Sequence, residues 1–249
     1  MVVVADFYTN GEYLQNNPDW HIDAGKWKAQ SVLQIMARNG LTPLSVCEIG
    51  CGAGEILRLL QRNLAEDTTF VGYDIAPQAI ELAKRRENEH LHVHLADFFQ
   101  EADDTHYDVI LLVDVLEHFE NCFQALRDLK TRSTYKILQL PLDLSVNSIL
   151  GNKLVDYRHA TGHLHFFTKD IAIEILEAAG YTILDSFYSR QPLDSTSWSK
   201  ARTPGQFIIK LLRMGKRELF RLPAQICYAF RPDLAVRIFG GWRLMVLVA

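Results

Sequence analysis

The sequence contains little cysteine and no long apolar run. Four of its 249 residues are cysteines, and none of them forms a C-x-x-C pair, so the pattern indicates neither a disulfide scaffold nor a zinc ribbon. No apolar stretch reaches the roughly 20 residues that cross a bilayer. The first residues, MVVVADFYTNGEY, lack the basic segment of a secretory signal. These absences predict reduced thiols and a cytoplasmic protein.

An excess of charge of either sign is also lacking. The chain has 26 Lys and Arg residues against 30 Asp and Glu residues, a formal net charge of -4. It offers no broad positive field to attract nucleic acid, and we expect no nucleic-acid partner. Residues 207–220 are locally basic and amphipathic, which fits plain packing, peripheral contact with a membrane, a cover over an apolar ligand or a dimer interface. The sequence leaves these alternatives and the oligomeric state open.

Short apolar strands alternate with amphipathic helices through the first 140 residues. The strand candidates are rich in apolar and β-branched residues, and the helix candidates place apolar residues at three-to-four-residue spacing. Such βαβ units predict a doubly wound α/β sheet that is mostly parallel, with helices on both faces. The strand candidates are 44–49, 69–74, 91–96, 107–113 and 135–140, and the helix candidates between them are 55–64, 77–88 and 122–130.

The pattern changes after the fifth strand. Residues 141–167 form a long connection, and Thr168 then caps a helix that Gly180 closes. Residues 181–188 predict a sixth strand and residues 241–249 a last one, so the residues between them form an insertion. We therefore predict a single domain with an N-terminal helical segment or lid (1–40), a core (41–190), a helical insertion (191–240) and a final strand (241–249).

Three glycines, Gly50, Gly52 and Gly54, lie between the first strand and the first helix. In the dinucleotide fingerprint G-x-G-x-x-G, a third glycine would stand where this chain has Glu55, and a carboxylate at the start of a helix would repel a pyrophosphate. The loop therefore favours a ligand with little or no phosphate, and Glu48 before the loop suits a cationic group. S-adenosylmethionine, which carries an ammonium, a sulfonium and a nucleoside, has this profile.

Acidic residues also end the next three strands. Asp74 ends the second strand, where a carboxylate can accept hydrogen bonds from both ribose hydroxyls. Asp97 ends the third strand, where it can accept from an adenine amino group while Phe98 or Phe99 packs on the ring. Asp114 closes the fourth strand and faces the crevice in which open α/β sheets bind ligands.

The pieces EIGCGAG, GYDI, LADFF and VDVLEHF, in this order and at strand ends, resemble the class I S-adenosylmethionine-dependent methyltransferases over about residues 44–190. The resemblance implies a Rossmann-like, seven-stranded sheet whose last strand is antiparallel, and S-adenosylmethionine as the cofactor. It also implies which residues bind that cofactor. These are Glu48, Gly50, Cys51, Gly52, Gly54, Asp74, Ile75, Asp97, Phe98 and Asp114.

Two further pieces, LEHF and GHLHFFTKDIAIEILEAAGY, resemble the branch that methylates small molecules and bacterial glycans. The Asn/Asp-Pro-Pro-Tyr element of enzymes that act on nucleic-acid bases is missing. The resemblance therefore implies methyl transfer to an oxygen or nitrogen of a small molecule or saccharide. Two alternatives stay open: a nicotinamide-dependent oxidoreductase, which Glu55 disfavours, and a protein that binds the cofactor without catalysis.

Histidines lie in two loops that we expect above the crevice. His118 is the first candidate for a general base, because a neutral imidazole can take a proton from a substrate hydroxyl or amine. The alternative is that it holds its loop by a hydrogen bond to a backbone carbonyl. His163 and His165 are candidates for substrate binding or for ordering a lid. The pattern H-x-x-x-H-x-H at 159–165 has no carboxylate or cysteine nearby to complete a ligand set, so we predict no metal.

Four aromatic residues accompany the N-terminal helical segment, 24–38. They are Tyr8, Tyr13, Trp20 and Trp27. They fit either a lid that folds over cofactor and substrate or a helix packed on the sheet, and the sequence does not choose between the two.

Overall fold

The computed structural model of the chain describes residues 7–9, 11, 13, 22–101, 105–192 and 222–249. Trp20, the basic segment 207–220 and most of the predicted insertion lie outside the described residues. None of the described helices is both long and apolar enough to cross a membrane.

Among the described residues, seven strands form one sheet in the order β3-β2-β1-β4-β5-β7-β6. The first five strands pair in parallel, whereas β7 is antiparallel to both β5 and β6. This architecture confirms the predicted Rossmann-like sheet with an antiparallel last strand. The strands are β1 (Ser45–Ile49), β2 (Thr69–Asp74), β3 (Leu91–Leu95), β4 (Tyr107–Val113), β5 (Ser133–Pro141), β6 (Ile183–Ser189) and β7 (Arg243–Val248).

Helices cover both faces of this sheet. One face packs on α1, α2 and α3, and the other packs on α4, α7 and α8. Residues 222–230 are also helical. The helices are α1 (Ile22–Arg38), α2 (Glu55–Gln61), α3 (Pro77–Ala83), α4 (Cys122–Asp128), α5 (Val146–Leu150), α6 (Lys153–Thr161), α7 (Lys169–Ala178) and α8 (Pro232–Phe239), with 3-10 turns at Lys84–Arg86 and Leu116–His118.

The connection after β5 differs from the prediction, because it contains two helices. Ser145 starts α5 through a capping box, in which its hydroxyl accepts from the Ser148 backbone and the Ser148 side chain accepts from the Ser145 backbone. The next helix, α6, has no buried residue, so its sequence carries no apolar periodicity to indicate it. The predicted cap of α7 is confirmed, since the Thr168 hydroxyl accepts from the Ile171 N–H.

A close approach of β2 to α2 and the glycine loop occurs at Gly72. A Cβ atom at this position would lie 2.8 Å from Cys51 Sγ and 2.9 Å from Leu57 Cδ1. We therefore expect Gly72→Ala to lower the free energy of unfolding by about 1 to 3 kcal/mol through overpacking. Urea denaturation of the variant and the wild type measures the change, and equal midpoints and slopes would contradict the prediction.

Candidate active site

The glycine loop begins where β1 ends, at the carboxyl edge of the parallel strands. It is fixed to β2 by the N–H groups of Gly50 and Cys51, which donate to the Tyr73 carbonyl at 2.8 and 3.0 Å. Gly50 has φ +70°, and a Cβ there would lie 2.7 Å from Val115 Cγ2. Gly52 has φ +53° with no atom within 4 Å of an added Cβ. The loop thus presents bare backbone to open space at Gly52.

Glu48, the predicted partner for a cationic group, is buried on β1 just before this loop. Its side chain is 1% exposed, and its Oε2 atom has no hydrogen-bond partner among the described residues. Burial raises the pKa of Glu48 to about 8, although Lys28 acts in the opposite direction. A buried carboxylate oxygen without a partner is costly, and a ligand cation beside it would relieve that cost.

Asp74, the predicted ribose ligand, fastens the loop to β2. Its carboxylate accepts from the Gly52 N–H at 2.8 Å and from the Ala76 N–H at 2.9 Å. Burial raises its pKa, and hydrogen bonds from these backbone groups and from Ile75 oppose the rise. Two carboxylate oxygens offer about four acceptor sites, so Asp74 retains capacity for a ligand. Cys51 is buried, and burial raises the pKa of its thiol, so its side chain packs and does not react.

The turn after β3 carries Phe98, which with Phe99 was one of two candidates to pack on the adenine ring. This ring is only 2% exposed and packs on Tyr73 and Phe99, with Arg132 over its face. These neighbours cover the Phe98 ring in the core, and packing of Phe98 or Phe99 on adenine stays a prediction. Asp97 accepts from the Phe99 N–H at 3.0 Å and from the Gln100 side chain at 2.8 Å. Its role in adenine binding stays a prediction.

Asp114, at the end of β4, has two cationic side chains against its carboxylate. Lys28 Nζ lies 2.9 Å from Oδ2, and Arg243 Nε lies 3.3 Å from Oδ1. Burial raises the pKa of Asp114, but Lys28 and Arg243 outweigh this effect and bring the pKa down to about 2. Through these two contacts Asp114 joins α1 to β7 across the end of β4, and its role in cofactor binding stays a prediction.

Glu117, His118 and His163 form a buried cluster beyond β4, which we call the histidine cluster. The Nε2 atoms of His118 and His163 lie 3.8 and 3.9 Å from Glu117 Oε1. The Glu117 side chain is fully buried, and neither of its carboxylate oxygens has a hydrogen-bond partner among the described residues. Burial and the nearby Asp114 raise the pKa of Glu117.

Outer hydrogen bonds orient both rings of the histidine cluster. The Tyr8 hydroxyl donates to the Thr161 carbonyl at 2.9 Å and therefore accepts from His118 Nδ1 at 2.8 Å. His163 Nδ1 donates to Asp143 Oδ2 at 2.9 Å. Because Nδ1 is the donor in both rings, Nε2 is the nitrogen left to act as an acceptor or ligand, and it lies within 4 Å of Glu117 Oε1 in each. Burial and the neighbouring His163 lower the pKa of His118 to about 4, so this ring is neutral at pH 7.

His165 does not join the cluster, and its contacts fit the alternative that it orders its loop, while a role in substrate binding stays a prediction. Its Nε2 atom donates to the Phe119 carbonyl at 2.8 Å, and its ring stacks with Phe167. The backbone N–H groups of Leu164 and His165 also donate to the Glu117 carbonyl. His165 therefore holds the segment after α6 against the turn after β4, because its polar atom is already used there.

The described N-terminal aromatic residues lie over this edge of the sheet. Phe7, Tyr8 and Tyr13 pack with Ala53 of the glycine loop and with Ala76 and Ala79 at the start of α3. Through its hydroxyl, Tyr8 also reaches the histidine cluster. Trp27 instead lies buried in α1, and its indole N–H has no partner among the described residues.

Several polar residues of the site lie on elements that the sequence pattern did not place near the cofactor edge. Lys28 belongs to α1, Asp143 follows β5, and Arg243 begins β7. Gln139 on β5 pairs in register with Val113, and neither polar atom of its buried amide has a partner among the described residues. In the sequence, only one feature indicates Glu117 as a site residue. It is adjacent to His118, the histidine that was already a candidate base.

The fold and this edge define a class of protein. A doubly wound sheet with a glycine loop after β1, an acid at the end of β2 and polar residues beyond β4 and β5 binds a nucleoside-type ligand at the carboxyl ends of its strands. A family model described as a methyltransferase domain matches residues 20–186, and the chain belongs to this family. This confirms the prediction of a class I S-adenosylmethionine-dependent methyltransferase.

Solved structures show the same fold at low sequence identity. The magnesium protoporphyrin IX methyltransferase of Synechocystis PCC 6803, solved with S-adenosylhomocysteine, is 19% identical, with a TM-score of 0.58 over 78% of this chain and 94% of that one. The N-methyltransferase NodS of Bradyrhizobium japonicum WM9, with the same ligand, is 14% identical, with a TM-score of 0.54 over 89% and 84%.

A third similar structure aligns over nearly the full length of both chains. It comes from a complex of the Haloferax volcanii Trm112 methyltransferase activator with a methyltransferase and is 13% identical, with a TM-score of 0.63 over 99% of this chain and 96% of that one. Sequence comparison with curated proteins found no match. At these identities the likeness concerns the fold alone.

Proposed function

We propose that the chain transfers the methyl group of S-adenosylmethionine to an oxygen or nitrogen of a small molecule or saccharide. The observation that carries this proposal is the buried, unpartnered Oε2 atom of Glu48 at the end of β1, ahead of the loop that exposes the backbone of Gly52. Glu48 suits the ammonium of the ligand, and Asp74 keeps acceptor capacity for ribose. The similar structures range from a porphyrin methyltransferase to an N-methyltransferase. They therefore do not indicate one acceptor class, and the polar residues of the site support the proposed acceptor.

When bound, S-adenosylmethionine supplies a methyl group that the acceptor atom takes by displacing the sulfur. The residues of the chain contribute mainly by holding the acceptor in line, and such positioning supplies much of the rate in a displacement. The histidine cluster offers the polar surface for the acceptor, and the aromatic residues Phe7, Tyr8 and Tyr13 exclude water from this edge. The Nε2 lone pair of His118 is the candidate proton acceptor, and a cytoplasmic location also stays a prediction.

Gly52→Ala tests the cofactor site with Gly40→Ala as its matched control. Both glycines have positive φ, +53° and +63°, with no atom within 4 Å of an added Cβ, so each change strains the backbone by about 1 to 2 kcal/mol. Gly40 precedes β1, at the opposite end of that strand from the loop. We expect Gly52→Ala to weaken binding of S-adenosylhomocysteine roughly tenfold or more, because the methyl group fills the space of the ligand.

Calorimetric titration with S-adenosylmethionine, S-adenosylhomocysteine and NAD measures this effect. Binding of the two adenosyl ligands and not of NAD, with Gly40→Ala equal to the wild type, supports the proposal. If both substitutions weakened ligand binding equally, backbone strain would explain the loss of affinity, and the space occupied by the added methyl group would not. Wild-type protein that binds neither adenosyl ligand would overturn the proposed function.

A further inference from the structure

We propose that Glu117, His118 and His163 bind one divalent transition-metal ion beside the cofactor site. Each residue offers one ligand atom, and the three atoms lie within 4.8 Å of one another. Two imidazole nitrogens and one carboxylate oxygen form a ligand set that proteins use for zinc and for non-haem iron. The site combines residues from two separate segments, the turn after β4 and the segment after α6.

The distances require only a small adjustment to accommodate an ion. Two ligand atoms that each lie about 2.1 Å from a metal are separated by about 3.0 to 3.4 Å at octahedral or tetrahedral angles. The two Nε2 atoms lie 3.8 and 3.9 Å from Glu117 Oε1. Closing these two gaps takes roughly half an ångström, and the two Nε2 atoms, which lie within 4.8 Å of each other, need to approach by at most about 1.5 Å through side-chain rotation.

The burial of Glu117 without a hydrogen-bond partner is an independent observation that indicates a bound cation. Its carboxyl group is fully buried and has no hydrogen-bond partner among the described residues, whereas buried carboxyl groups are ordinarily paired or bound to metal. Arg243 lowers the pKa of Glu117 from a distance, but its guanidinium contacts Asp114 and makes no hydrogen bond to Glu117. A divalent ion would satisfy Glu117 and balance the negative charge of Asp143 next to it.

The outer hydrogen bonds are those of ligand histidines. A histidine that binds metal through Nε2 usually donates from Nδ1 to a carboxylate, a carbonyl or another fixed acceptor, which sets its tautomer. His163 donates to Asp143 at 2.9 Å, and His118 donates to Tyr8, whose hydroxyl is itself held by the Thr161 carbonyl. Both rings are therefore oriented before any ion binds.

Three protein ligands leave coordination positions open for water or for the acceptor. This part of the inference rests on the proposed function: a bound ion would lower the pKa of an acceptor hydroxyl, which then loses its proton to water. The ion favours an oxygen acceptor such as an alcohol, a phenol or a sugar hydroxyl. Because the Nε2 lone pair of His118 cannot bind metal and accept a proton at once, the ligand role and the base role of His118 exclude each other.

Metal binding is measured on the full chain, without cofactor or acceptor, after treatment with a chelator. Calorimetric titration with ZnCl₂ and with MnCl₂ gives stoichiometry and affinity, and the electron paramagnetic resonance of bound Mn²⁺ reports its ligands. We expect one ion per chain and a weakening of roughly 100-fold or more in Glu117→Gln and His163→Gln. His159→Ala is the matched control, because His159 is an exposed residue of the same sequence pattern, and its affinity is expected to be unchanged.

A wild-type protein that takes up no ion, or a Glu117→Gln variant that binds as tightly as wild type, would overturn the inference. Thermal unfolding keeps the test valid if a variant is unstable, because added ion should raise the melting temperature of the wild type and of His159→Ala but not of Glu117→Gln. Failure of this inference remains distinct from failure of the proposed function, since binding of S-adenosylhomocysteine is titrated separately.

Discussion

Glu48→Gln is expected to weaken binding of S-adenosylhomocysteine and at the same time to stabilise the unliganded protein at pH 8. The folded-state pKa of Glu48 is raised to about 8, so folding opposes its ionisation. The wild type therefore loses stability as pH rises from the ordinary value near 4.5 to about 8, by up to about 1.4 kcal/mol per pH unit. Glutamine does not ionise, and we expect a net gain of roughly 1 to 3 kcal/mol in the free energy of unfolding at pH 8.

The loss of affinity has the same electrostatic origin. The ligand ammonium stabilises the ionised form of Glu48, so at pH 7 the wild type should release a proton when it binds S-adenosylhomocysteine. Calorimetry in two buffers of different ionisation enthalpy detects that proton. We expect no release from Glu48→Gln and an affinity lower by roughly tenfold or more.

Urea denaturation at pH 5, 6.5 and 8 checks the effect of Glu48→Gln on stability. Glu66→Gln serves as the control, because Glu66 is exposed and its substitution should shift all three curves by little. A difference between Glu48→Gln and wild type that does not grow with pH would contradict the assignment.

Asp114→Asn is expected to lower the free energy of unfolding by up to about 3 to 5 kcal/mol at pH 7, because Lys28 and Arg243, whose side chains are only 13% and 30% exposed, lose the carboxylate that they contact. The backbone of Asp114 has φ +53°, a conformation that asparagine also tolerates. The substitution therefore removes the charge while it leaves the turn unstrained. Urea denaturation of both proteins measures the change.

Asp170→Asn is the matched control for Asp114→Asn. Asp170 pairs with Arg237, but both side chains are more than half exposed, and exposed ion pairs contribute at most about 1 kcal/mol. If the two variants lost similar amounts of unfolding free energy, the low exposure of the Asp114 ion pairs would not explain how much these pairs stabilise the protein.

The amino-acid sequence by itself determined the sheet and the cofactor edge. Apolar strands and amphipathic helices are local patterns with periods of two and 3.6 residues, and they are visible in any short window. The glycine loop and Asp74 follow the strands directly, so parallel topology alone places them at one edge. The sequence did not predict the helix α6. This helix buries no residue, so its sequence has no apolar periodicity.

Only the tertiary structure decided which polar residues meet. His118 and His163 lie far apart in sequence, and their contact with Glu117 depends on how the segment after α6 folds over β4. Asp114 looks like an open ligand acid in sequence, and the packing of α1 and β7 turns it into the partner of two cations. Phe98 is covered by Phe99 and by Tyr73 and Arg132, which come from other parts of the fold. Burial, pairing and pKa are properties of the packed molecule, because they depend on neighbours that no local window of sequence contains.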